Sequence, residues 1–152
     1  MKVRDLTWRA PVTIDCAETI AAAAQKLSVE GVGALVVMDA GQPIGVVTDR
    51  DLVTRGIAKH VPADGRIDSL MSMGVIGLDA DEDAEELFGV YARHAIRRVP
   101  VLEGARVVGM VSLDDAIVSV SQHLNDLAGV LTTQIAYPGA RDEPPTPVVT
   151  EP

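Results

Sequence analysis

An internal repeat restricts the fold of this chain more than any other feature. Shifted by 64 residues, positions 2–65 align with 66–129 without a gap. Leu6 meets Leu70, Asp15 meets Asp79, Glu18 meets Glu82, Val37 meets Val101, Gly45 meets Gly109, Val47 meets Val111 and Asp51 meets Asp115. Conservative matches such as Val3/Ile67, Ile14/Leu78 and Thr48/Ser112 run between them. A repeat of this size is a supersecondary unit too small to bury its own apolar face well, so it needs its copy. Two units, 2–65 and 66–129, are therefore expected to pack sheet against sheet as one pseudo-twofold body.

Each unit reads as β-α-β-β-α, an α+β class. A short apolar piece (Pro11–Ile14; Val75–Leu78) precedes Asp-x-x-Glu at 15–18 and 79–82, which resembles a capping box. Apolar residues then fall at helical spacing, Ile20, Ala23, Ala24 and Leu27 in the first copy, Ala84, Leu87, Phe88 and Tyr91 in the second. Strands follow at Ala34–Met38 and Val99–Leu102, then turns at 39–42 and 103–106, then strands at Pro43–Val47 and Val107–Val111. A second helix starts at Thr48 or Ser112. Residues 130–152, with five prolines between Tyr137 and Pro152, read as a largely disordered tail.

Composition narrows the function. A net charge of −9 opposes general nucleic-acid binding, which needs a basic footprint, and opposes an anionic membrane surface. Lys2, Arg4, Asp5, Arg9 and Pro11 break up the first residues, so no secretory signal is expected. No apolar run nears the roughly 18 residues of a membrane span. One cysteine, Cys16, cannot make an internal disulfide. A cytoplasmic protein without nucleic-acid or membrane partners is expected.

The duplicated stretch GVVTDRDL (45–52) and GMVSLDDA (109–116) carries the chemistry. Thr48 with Asp51, and Ser112 with Asp115, have the spacing of a helix cap, in which the hydroxyl and the carboxylate satisfy first-turn amides. The same atoms suit a phosphoribosyl group. A hydroxyl at a helix start can meet phosphate, and an Asp one turn on can accept hydrogen bonds from two ribose hydroxyls. Gly45 and Gly109, three residues upstream, mark places where another group comes close to the backbone.

With these motifs and with VGALVVMD and IRRVPVLE upstream of them, residues 2–129 resemble a tandem pair of CBS domains, the modules named after cystathionine β-synthase. The chain is similar to small stand-alone bacterial CBS-pair proteins, including stress- or hypoxia-induced ones. The resemblance implies a non-catalytic regulatory module binding an adenosyl ligand (AMP, ADP, ATP or S-adenosylmethionine) in clefts between repeats. It implies no required cofactor. By that resemblance Asp51 and Asp115 hold ribose, Thr48 and Ser112 contact phosphate, and backbone at Thr13-Ile14, Gly77-Leu78 and Gly33-Ala34 flanks adenine. Arg97 and Arg98 supply positive charge. The apolar helix faces at Ile20/Ala24/Leu27 and Leu87/Tyr91 read as mostly core, and the resemblance implies a homodimer formed through such helices, with room for an unknown protein partner.

The repeats are not electrically equal. Arg97-Arg98 stands where the first copy has Gly33-Ala34, and Arg50 stands where the second has Asp114. The site with Thr48, Arg50 and Asp51 is therefore expected to be the stronger. His60, His94 and His123 lack metal-ligand spacing. The acidic run Asp81–Glu86 reads as a solvated helix start. No nucleophile has a recognisable base partner, so no enzyme is expected. The competing reading is a structural or protein-interaction module with empty clefts, its motifs serving only as caps.

Overall fold

The computed structural model describes residues 1–136. The strands are β1 (Thr13–Asp15), β2 (Ala34–Asp39), β3 (Gln42–Thr48), β4 (Ser72–Met73), β5 (Leu78–Asp79), β6 (Arg98–Glu103) and β7 (Arg106–Ser112). The helices are α1 (Ile20–Glu30), α2 (Asp49–Asp51), α3 (Ala84–His94) and α4 (Leu113–Ala136). A π-helical stretch, Leu52–Gly56, continues α2. The chain divides into a body, Met1–Ala116, and a second unit starting at Ile117, whose described part is the remainder of α4.

The two sheets repeat one plan. In the first, β1 pairs parallel with β2, β2 antiparallel with β3, and β3 antiparallel with β4. In the second, β5 pairs parallel with β6 and β6 antiparallel with β7. Both hairpins close through two residues, between Asp39↔Gln42 and between Glu103↔Arg106. Ala40 (φ 47) and Gly41 (φ 79) take the left-handed values that a tight hairpin with right-twisted strands requires.

The core has two centres. One joins Ile14, Ile20, Ala23, Leu27, Leu35, Val37 and Val47 with Ile67 and Leu70. The other joins Leu78, Leu87, Tyr91, Val99, Val101 and Val111 with Val3 and Leu6. Each core therefore takes its closing residues from the lead segment of the opposite copy. Leu6 and Leu70 are repeat counterparts, and each is buried in the other repeat's core. Backbone bonds fix the exchange: Val3 N–H to the Glu82 carbonyl (3.0 Å), Arg4 N–H to Ala80 (2.9 Å), and a mutual pair between Arg9 and Met110. On the other side Ile67 N–H donates to Glu18 (2.8 Å), and β4 extends the first sheet. The sheets also meet where β3 lies against β7. Val36 and its counterpart Pro100, on strand faces opposite to Leu35 and Val99, are fully buried.

This exchange accounts for two glycines. A side chain at Gly45 would strike the Ser72 carbonyl oxygen and Met71 Sδ, and one at Gly109 would strike the Trp8 ring. The close neighbour implied by these glycines is the exchanged lead. The lead also occupies part of the acidic run: Lys2 pairs with Asp83 (3.2 Å) and Arg4 with Asp81 (2.7 Å). Exposed pairs of this kind contribute at most about 1 kcal/mol each.

Several local expectations change. Asp15 and Asp79 do not cap α1 and α3. Asp15 Oδ1 accepts from Ala17 N–H and Asp79 Oδ1 from Asp81 N–H, turns that end the strands. The α1 cap is Thr19, whose Oγ1 accepts from Ala22 N–H, and the α3 cap position is Asp83. Of the tail expected over 130–152, residues 130–136 continue α4. The rest of it, 137–152, lies outside the described residues. Ile20, Leu27, Leu87 and Tyr91 are buried within the body, as helix faces that read as mostly core should be.

Candidate ligand clefts between the repeats

At the ends of β3 and β7 the Thr/Ser-x-x-Asp turns are built alike. Asp49 N–H donates to the Gly33 carbonyl (3.2 Å) and Leu113 N–H to that of Arg97 (2.9 Å), which tie each turn to the start of its own central strand. Asp51 N–H donates to Thr48 Oγ1 (3.2 Å), while Thr48 N–H and Oγ1–H both donate to Asp51 Oδ2 (2.9 Å each). Ser112 Oγ–H donates to Asp115 Oδ2 (2.6 Å), and Asp115 N–H returns to Ser112 Oγ (3.1 Å). The caps are formed. In the first turn the other oxygen, Asp51 Oδ1, lies 3.5 Å from Arg55 Nε.

Each turn opens onto a cleft whose far wall belongs to the other repeat. The first cleft, about 510 Å³, brings Thr48, Arg50, Asp51 and Arg55 opposite Ile76 and Ile96–Arg98. The second, about 260 Å³, brings Ser112, Asp114 and Asp115 opposite Val12 and Gly31–Ala34. Eleven of the twelve residues lining the second cleft have their 64-residue counterparts in the lining of the first, the signature of a pseudo-twofold arrangement.

Most of the sequence-derived site residues converge. Thr48, Arg50, Asp51, Arg97 and Arg98 share the first cleft, and Gly33, Ala34, Ser112 and Asp115 share the second. Thr13, Ile14, Gly77 and Leu78 line neither. Ile14 and Leu78 alternate into the two cores, and Thr13 is exposed. Gly77 packs against strand β6, where a Cβ on it would lie 2.7 Å from the Pro100 carbonyl oxygen. Their upstream neighbours Val12 and Ile76 line the clefts. Sequence reasoning also missed Arg55. Its signal was there: it falls four residues after Asp51, the spacing that puts two side chains on one helix face. The π-turn and a hydrogen bond from Arg55 Nη1 to the Leu70 carbonyl (3.2 Å) hold it beside the cleft. Such π-turns are frequent at functional sites.

The clefts differ in charge as the sequence implied. The first carries four guanidiniums, Arg50, Arg55, Arg97 and Arg98, against Asp49 and Asp51, with His94 at its edge. The second carries Arg9 and Arg98 against Asp114 and Asp115. Arg97 is partly engaged, its Nη2 lying 3.0 Å from Asp114 Oδ1. Two groups that line neither cleft, Tyr91 and Cys16, have an altered affinity for protons. Burial, then the charges of Asp115 and Asp114, push the Tyr91 phenol far above its usual range, and its hydroxyl donates to the Val111 carbonyl (3.2 Å). Burial, then Asp39 and Asp15, raise the Cys16 thiol, which keeps it protonated at neutral pH. Among the described residues no group of three or more His, Cys, Asp or Glu could hold a metal ion.

Comparison with known proteins settles the family. The CBS domain model matches twice, at residues 3–57 and 67–122. The chain belongs to the CBS domain family. It is 33% identical over 144 residues to protein YlbB of Bacillus subtilis, covering 93% of this chain and 96% of YlbB. It is 33% identical over 108 residues to hypoxic response protein 1 of Mycobacterium tuberculosis, covering 70% of this chain and 76% of that one. Among solved structures, a CBS domain protein from Pyrobaculum aerophilum in complex with AMP matches with a TM-score of 0.67 and 27% identity, covering 76% of this chain and 89% of that chain. The two matches span most of the described residues, and no helix among them is long and apolar enough to cross a membrane.

Proposed function

We propose that this CBS pair is a non-catalytic regulatory sensor that binds an adenosyl ligand, AMP, ADP, ATP or S-adenosylmethionine, with the first cleft as its main site. The observation that carries this reading is the convergence of Thr48, Asp51 and the arginines of both repeats on one cleft. A carboxylate can accept from ribose hydroxyls there while guanidiniums face the phosphates, and Ile76 and Ile96 offer apolar cover for a base. The AMP complex of the Pyrobaculum relative supports an adenine nucleotide. The match to hypoxic response protein 1 supports a stress-related setting. A cytoplasmic location belongs to the same reading.

Calorimetry with the four compounds tests the reading. At 100 times its dissociation constant a ligand should stabilise the fold by about 2.7 kcal/mol. Asp51→Ala should weaken binding more than Asp115→Ala. If none of the four binds, or if the two variants bind as the native chain does, the reading fails.

A second reading has its own support. In both turns the hydroxyl and the carboxylate already satisfy each other, as a pure cap would, and this favours an interaction module with empty clefts. Capture of one protein partner, indifferent to nucleotide, would decide for it. We also propose a homodimer. Its support is α4, where Ile117, Leu124, Leu127, Leu131 and Ile135 are exposed at helical spacing. A monomer by light scattering at micromolar concentration would refute it.

A further inference from the structure

Arg98 has an unusual position. Its backbone sits directly across from Ser112 in the β6–β7 ladder, beside the second cleft. Its guanidinium extends to the other repeat and lies on Gly33, close enough that a methyl group on Gly33 would collide with it. The side chain therefore lines both clefts. The twofold counterpart of Arg98 is Ala34, which has no charge, so the symmetry supplies one cationic arm for two sites. Its surroundings are uneven. Towards the first cleft stand the further cations Arg50, Arg55 and Arg97 with Asp49 and Asp51, and towards the second stand Arg9 alone with Asp114 and Asp115. Arg97 is held by Asp114 and Arg55 by Asp51, whereas the Arg98 guanidinium rests on a glycine, where it can turn to an anion.

We infer that Arg98 is a shared anion-binding arm that couples the two clefts negatively: an anion held by it in one cleft removes it from the other. The inference rests on the clefts of the proposed function being the ligand sites, but it depends on the anionic part of the ligand alone. A single planar fork cannot make its paired hydrogen bonds in two directions at once. Coupling of this kind is reciprocal. The first cleft fills first, because its other arginines stay in place whichever way Arg98 turns, whereas the second then keeps only Arg9 against two carboxylates. The two clefts of one chain would thus report different concentration ranges of the same anion.

The test is a titration of the full chain with inorganic pyrophosphate, followed by the backbone amide signals of Thr48 and Asp51 for one cleft and of Ser112 and Asp115 for the other. The expected result is two midpoints at least about tenfold apart, a usual size for coupling between sites, with the first cleft responding at the lower concentration. Arg98→Ala should bring the midpoints together by weakening the first. Gly33→Ala pushes the flexible end of Arg98 off its seat while changing no charge, and it should separate the midpoints further. Equal midpoints in the native chain, no response to pyrophosphate, or a separation untouched by both substitutions would overturn the inference. Parallel titration with AMP separates the two proposals. Split midpoints with pyrophosphate and no response to AMP would sink the adenosyl reading and leave the shared arm standing, whereas AMP binding with equal, independent midpoints would do the reverse.

Discussion

Gly109→Ala tests the exchange of lead segments on which the body depends. The added methyl would fall within the Trp8 ring, 2.8 Å from Cδ2 and closer still to Cε3 and Cζ3. Trp8 is half-buried and packs against the second core. It cannot retreat easily, because Arg9 N–H donates to the Met110 carbonyl (3.1 Å) and Met110 N–H donates back (2.9 Å). If the ring swings out, about half of the roughly 200 Å² a tryptophan can bury is lost. At ~25 cal/mol per Å² that costs about 2.5 kcal/mol. If the backbone yields instead, overpacking costs about 1–3 kcal/mol. At about 2–4 °C per kcal/mol for a chain of this size, the two routes lower the melting temperature by about 2–12 °C. Trp8 is the single tryptophan of the chain, so its emission reports on the site directly and should shift to the red in the native state. Gly129→Ala is the control, since nothing lies within 4 Å of the added methyl there; it should leave the emission alone. Unchanged emission and melting in Gly109→Ala would mean that the first lead does not lie on the second sheet.

Three other outcomes are expected. Ala95 closes α3 in the left-handed region (φ 51), where its repeat counterpart is Gly31 (φ 63); Ala95→Gly should stabilise by about 1 kcal/mol in chemical denaturation, because a side chain in that region costs about 1–2 kcal/mol. The Asp68 carboxyl is held below its usual range, first by its hydrogen bonds from Arg66. Its contribution to stability is therefore present above the ordinary carboxylate value of about 3.9 and is lost as pH falls through the lower folded value; Asp68→Asn should flatten the stability curve in that acid window. Finally, the buried Cys16 thiol, raised by that burial, should react slowly with a thiol reagent at neutral pH and quickly in denaturant, and equal rates would contradict its placement.

The candidate site was legible where it followed from symmetry and local pattern. Thr48/Asp51 and Ser112/Asp115 could be paired by the 64-residue shift, and their turns obey capping rules that act over a few residues. The unequal charge of the two sites was visible in Arg97-Arg98 against Gly33-Ala34. Which side chains of these strands face the clefts was not legible, because a strand's alternation does not say which of its faces meets the other repeat. Val12 and Ile76 line the clefts, whereas Ile14 and Leu78 enter the cores. The helix caps were misplaced for a related reason: Asp-x-x-Glu satisfies a turn after a strand as well as a helix start, and local geometry alone cannot choose.

Sequence alone determined the duplicated α+β plan, the hairpins and the doubled turns, since each is set by periodicity and residue chemistry within one repeat. Only the tertiary structure decided that the leads change places, that Gly45 and Gly109 make room for those leads, and that Arg98 reaches across to Gly33. Those arrangements depend on contacts between segments far apart in the chain. The apolar pattern of a lead such as Leu6 or Leu70 is satisfied equally well by either core. The choice between them is made by chain connectivity and by what the whole body can bury.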